Sequence, residues 1–147
     1  MIIHALGRPI TQGSKTRTRW GMRDDNGDRL RPWRDTVTAA AIAVVDGAPP
    51  IDGPVSVEIV FAICRPAGHY GTGRNRGSLK ASAPVHPVGR NVGDIDKLCR
   101  AVLDSLTTAK VWLDDSQVVT LIARREYAAP WELEGAEIAV HAMPVVA

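Results

Sequence analysis

Four aspartates carry the most distinctive chemistry in this sequence. Asp94 and Asp96 stand one residue apart, Asp114 and Asp115 are adjacent, and an apolar, helix-like stretch joins the two pairs. Carboxylates brought close together repel, so a group of three or four must protonate or recruit a cation. Hard oxygen donors favour Mg²⁺, with Mn²⁺ as a substitute, over zinc or copper. Beside basic loops, such a site suits phosphodiester hydrolysis. The ion polarises the phosphate, prepares a water nucleophile and stabilises the leaving oxygen. Each pair also has an ordinary use. Acids at a helix start stabilise it by a few tenths to ~1 kcal/mol, and Asp is common in turns. The metal reading requires Asp115 to return to the neighbourhood of Asp94 after a helix roughly 20 Å long.

The elements that must bring this about are readable in outline. Ile2 to Leu6 is a first strand. A long loop rich in Gly and Arg follows, and "PWRDTVTAAAIAVVDG" reads as a helix opening at Pro32 and stopping at Gly47. Trp33, Val37, Ala41 and Val44 form its apolar stripe. Val55, Val57, Ile59, Phe61 and Ile63 alternate, as on one face of a strand. Residues 65–92 form a second long loop, holding Arg65, Arg74, Arg76, Lys80 and Arg90 and no acid. From Asp94, a plausible N-cap, Ile95, Leu98, Val102 and Leu106 recur at helical spacing, with Cys99 and Leu103 beside them. A turn at Asp114-Asp115, a strand from about Val118 and a last strand in "GAEIAVHAM" complete the order β-α-β-α-β-β. This is an α+β layout: a small mixed sheet, two helices packed on one face, and two long basic loops.

The chain of 147 residues suits one domain over 1–147. It has no apolar run long enough to span a membrane and no secretory pattern at Met1-Ile2-Ile3-His4, so the expectation is a cytoplasmic protein with no membrane partner. Two cysteines, Cys64 and Cys99, are too few for a disulfide scaffold or a cysteine zinc site. His4, His69, His86 and His141 lack ligand spacing, and Ser105 and Ser116 lack a His partner at recognisable spacing. The net charge of +2 hides an asymmetry. Residues 1–93 hold 13 basic and 7 acidic side chains, net +6, whereas residues 94–147 hold 5 and 9, net −4. A basic front meeting a carboxylate-rich back suggests an anionic partner. Lys15, Arg17 and Arg19 alternate, as a row that follows phosphates in an extended segment would, and Arg74, Arg76 and Lys80 offer a second set. Trp20 and Tyr70 are candidates to stack on an unpaired base.

The stretch as a whole resembles the RusA family of Holliday junction resolvases. The residues that carry the resemblance are Asp94-Ile95-Asp96, then Ala101 to Leu106 ("AVLDSL"), then Val111 to Val118 ("VWLDDSQV"). Gly7-Arg8-Pro9 and "PWRDTV" add a fainter likeness. The resemblance implies a homodimeric, Mg²⁺-dependent endonuclease, often phage-encoded, that cuts four-way DNA junctions by paired nicks. Carried over by position, Asp94, Asp96 and Asp115 are metal-binding carboxylates, and Asp114 lies in the same motif with a less defined role. Asp104 is read as a supporting residue. Two positions depart from the family pattern. Lys97 replaces an Asn, and Arg100 replaces a functional Lys one turn past Asp96. Arginine keeps the charge and grips phosphate through two donors, but it does not release a proton at neutral pH. Lys97, also counted here among the DNA-contacting cations, has a flexible ammonium that can substitute. Two alternatives stand beside the resolvase: a nuclease for flaps or other branched DNA, and a basic DNA-binding module whose acids only cap a helix.

Overall fold

The computed structural model describes residues 1–13, 15–19, 21–24 and 27–146, without the side chains of 15–18 and 22–24. Trp20 therefore lies outside the described residues. The main sheet has the order β1-β6-β4-β5, from β1 (Ile2–Leu6), β4 (Val55–Ile63), β5 (Val118–Tyr127) and β6 (Gly135–Ala142). A separate hairpin pairs β2 (Lys15–Thr18) with β3 (Gly21–Asp24), and the helices are α1 (Gly27–Val45) and α2 (Ile95–Thr108). β6 runs antiparallel to both β1 and β4, whereas β4 and β5 are parallel and joined through α2. The fold is the mixed α+β arrangement expected, with its β-α-β-α-β-β order.

The core follows the period of each element. Every second residue of β4 is buried, from Val55 through Phe61 to Ile63, and Ile3, Ala5, Ile138 and Val140 extend this face across β1 and β6. The helices close over it with Leu30, Trp33, Val37 and Ala41 of α1 and Leu98, Val102 and Leu106 of α2. Each valine, leucine or isoleucine side chain so buried contributes about 1.5–3 kcal/mol. Across the helix pair, Thr38 donates to the Ser105 carbonyl and Arg34 stands 3.9 Å from Asp104. Asp104 thus acts as a tie between α1 and α2.

Three details differ from the sequence expectation. The first basic loop contains the β2–β3 hairpin, a short pairing whose polar strands carry no apolar alternation. α1 starts at Gly27, which leaves Pro32 inside it. This proline sits close enough to the start that only one early backbone bond is lost. The stripe of α1 is shifted accordingly: Leu30 is buried and Val44 is exposed. The second basic loop is also more ordered than its composition suggests. It holds 3₁₀ turns at Ala67–His69 and Gly73–Asn75 and a bridge between Tyr70 and Leu79.

Candidate active site

Two turns within the β4–α2–β5 crossover present the aspartates, one at the start of α2 and one at the start of β5. The first is Gly93-Asp94. Gly93 has φ +83, in the left-handed region, and a Cβ there would run into the Thr11 side chain. Both facts demand glycine. The segment carrying Thr11 is anchored to α2 by the Gln12 amide, which donates to the Lys97 carbonyl at 3.1 Å. From β5, Arg125 donates to the Gly93 carbonyl. Asp94 is the N-cap residue of α2 by backbone conformation, but its side chain makes no capping hydrogen bond. Its carboxylate instead lies 3.0 Å from Lys97 Nζ. That contact raises the Lys97 pKa, so the ammonium remains charged throughout the neutral range.

The second turn is Asp115–Gln117, a single 3₁₀ turn leading into β5. Its neighbours in "VWLDDSQV" hold it in place. Trp112 is fully buried and donates from its indole to Thr107 Oγ1 at 2.8 Å. Gln117 Nε2 donates to the carbonyls of Ile51 and Gly53, while its Oε1 accepts from the amides of Leu113 and Asp114. The Asp114 carboxylate accepts from the Ser116 amide at 2.9 Å and completes a capping box with Gln117. That hydrogen bond lowers the Asp114 pKa. Asp115 alone of the two acids is left without a hydrogen bond or ion pair to the described residues.

Asp115 and Asp96 face one cavity of about 420 Å³, whose walls also include Cys99, Arg100 and Leu121. Asp96 further borders a second, open hollow with Asp94, Arg90 and Arg125. The aspartates therefore stand as a pair, Asp96 and Asp115, with Asp94 to one side against Lys97. Among the described residues, no three His, Cys, Asp or Glu side chains are gathered tightly enough to hold a metal ion by themselves. Cys99 lies beneath this cavity, and burial together with the Asp96 charge pushes its thiol up to about 11.

The basic residues divide by use. Lys15 and Arg17 lie in β2, their side chains outside the description, and Arg19 is exposed in the hairpin turn. Arg74 and Arg76 are exposed at the Gly73–Asn75 turn, whereas Lys80 Nζ donates to the Gly68 carbonyl at 2.8 Å. Lys97 is committed to Asp94. Tyr70 is half-buried at the bridge to Leu79. Arg125 and Arg90 are the site residues that sequence reasoning passed over. Arg125 lay in a strand with no motif to mark it; only its alternation with Ala123 and Tyr127 on one strand face pointed inward.

The family model for endodeoxyribonuclease RusA matches residues 7–140, most of the chain and all of both aspartate turns. The chain belongs to the RusA endodeoxyribonuclease family. Membership marks it as a nuclease and implies Holliday junction resolvase activity. No curated protein matches this RusA-family chain. No helix among its described residues is long and apolar enough to cross a membrane.

Proposed function

We propose that this RusA-family chain is an Mg²⁺-dependent endonuclease that resolves four-way DNA junctions by paired phosphodiester hydrolysis, as a homodimer. The observation that carries the reading is the cavity shared by Asp96, Asp115 and Arg100. Its donors suit the ion. Mg²⁺ is commonly held by one or two carboxylates, with waters and substrate phosphate completing its shell. When bound, it supplies Lewis acidity and a deprotonated water. Asp96 and Asp115 provide the oxygens, and Asp94 joins them once Lys97 turns to a phosphate. Arg100, one helical turn past Asp96, offers two parallel donors to the scissile phosphate and stays charged through the reaction. Asp114, tied down in its capping box, orients the turn that presents Asp115. Exposed Arg74, Arg76 and Arg90 follow the backbone of the DNA arms.

A dimer places one such site on each of two strands related by the two-fold axis of a four-way junction. β5 is an edge strand with Val119, Leu121 and Ile122 exposed, the kind of edge a second copy can cover. The test is cleavage of an end-labelled four-way junction with and without Mg²⁺, by wild type and Asp96→Asn. The expected result is symmetrical paired nicks only with the metal, and a loss of about a hundredfold in the variant. Equal cleavage by Asp96→Asn removes this aspartate from the mechanism. Cleavage of flaps but not junctions assigns a branched-DNA nuclease, and binding without cleavage assigns a DNA-coating module.

A further inference from the structure

A cavity of about 480 Å³, set apart from the aspartates, plays no part in this chemistry. It opens at the carboxyl ends of β4 and β5, between the first residues after β1 and the second basic loop. Its size falls within the ~300–1,000 Å³ range of small-molecule sites. Its lining combines flat, apolar and cationic groups with one carboxylate, that of Glu134, which accepts from the Cys64 amide at 3.0 Å. The Arg65 guanidinium lies 3.8 Å from the centre of the Tyr127 ring and is fixed there by donating to the Pro84 carbonyl at 2.8 Å. His69 meets the same ring edge-on at 5.7 Å. Its Nδ1 is buried and has no hydrogen-bond partner among the described residues. Buried polar atoms in folded proteins are nearly always satisfied, so this nitrogen calls for a partner that the described residues do not supply. Pro9 and Val88 supply apolar wall, and Arg8, exposed, adds a second cation.

The position of this cavity supplies the second argument. The segment 88–93 is the partition between it and the hollow beside the aspartates. Val88, Asn91 and Val92 line the large cavity, whereas Gly89, Arg90 and Gly93 line the hollow holding Asp94 and Asp96. Tyr127 and Arg125, two residues apart on β5, mark the two compartments from the strand side. A strand whose phosphate sits at the aspartates can therefore place a neighbouring nucleotide into the cavity.

We infer that this cavity receives an unstacked nucleotide of the DNA substrate. The base packs against the Arg65 plane and the apolar wall, with its polar edge toward His69 Nδ1, and Arg8 holds its phosphate. Guanidinium planes and aromatic rings are common platforms for splayed bases, tolerant of base identity. The inference rests on the nuclease reading, and its test separates the two.

The probe is a branched DNA carrying 2-aminopurine at an unpaired position, titrated with protein in EDTA so that nothing is cut. Fluorescence reports the environment of the base, and anisotropy of a distant dye reports binding. Wild type is expected to change the 2-aminopurine signal, and a fully paired duplex is expected to give no change. Arg8→Ala and His69→Phe, the latter keeping an aromatic ring against Tyr127, should each weaken the 2-aminopurine response about tenfold in apparent affinity. Anisotropy on fully paired duplex should be unaltered in both. Normal anisotropy with no change in 2-aminopurine overturns the pocket and leaves the nuclease intact. A response unchanged in both variants also overturns it. Loss of all DNA binding by wild type removes the nuclease reading and the pocket with it.

Discussion

Asp114 and Asp115 are neighbours in the chain, yet their carboxylates do different work. That of Asp114 is spent on the Ser116 amide and the capping box; that of Asp115 points to the cavity it shares with Asp96. The pH dependence of the first follows from its lowered pKa. Its contribution to stability is present above the ordinary aspartate value of 3.8 and is lost as pH falls through the lowered folded value. Substitution should separate the two roles. Asparagine is as good a cap as aspartate, so Asp114→Asn should cleave junctions within about threefold of wild type. Asp115→Asn should lose about a hundredfold. Single-turnover cleavage at saturating Mg²⁺ measures both; a large loss in Asp114→Asn would move the metal-binding role onto that residue. Adjacency alone did not distinguish the two acids in the sequence. The distinction comes from Gln117, whose side chain closes the box.

At the scale of elements, the same glutamine is the fastener between the turn and the rest of the fold. It reaches back to the carbonyls of Ile51 and Gly53, just ahead of β4, so the start of β5 is held to the start of its parallel neighbour. Gln117→Leu leaves those carbonyls and the amides of Leu113 and Asp114 without partners, at a cost of about 2–4 kcal/mol. Urea unfolding should show the loss as a lower midpoint, and cleavage should fall with it because Asp115 is no longer held in place. An unchanged midpoint would mean that water replaces the side chain freely. This scale also shows where sequence reading succeeds. The period of α2 and the alternation in β4 are local patterns, so both elements and their buried faces were legible. Contacts between distant segments leave no local pattern: Thr11 against Gly93, Gln12 on Lys97, and Arg125 on Gly93 were invisible. The β2–β3 hairpin was missed for a related reason, since polar residues on both faces give no period. The aspartate turns were legible through their motif, whereas the turning of Asp94 toward Lys97 was not.

For the molecule as a whole, the edges of the sheet matter most. β1 forms one edge and β5 the other; β5 pairs with β4 on one side only, and its Ile122 is half exposed at 51%. If a second copy covers this edge, a charge placed there should prevent it. Ile122→Lys is expected to sediment as a monomer where wild type sediments as a dimer. Its junction products should change from coupled to independent nicks, because the two sites no longer act in one complex. Sedimentation velocity and a cruciform plasmid assay read the two effects. A variant that stays dimeric places the interface elsewhere.

The pairing of β6 has a further consequence. This strand fits between β1 and β4, and the ammonium of Met1 donates to the Val140 carbonyl. During synthesis, β1 precedes the other strands of this sheet and must wait for β6 before it has a neighbour there. Until then β4 lacks one of its two partners, and the apolar side chains of β1 have no finished surface to settle on. The ribosome therefore releases this sheet as an unclosed set of strands. The slow step in acquiring its shape should be the pairing of β1 with β6, the two strands of this sheet farthest apart in sequence.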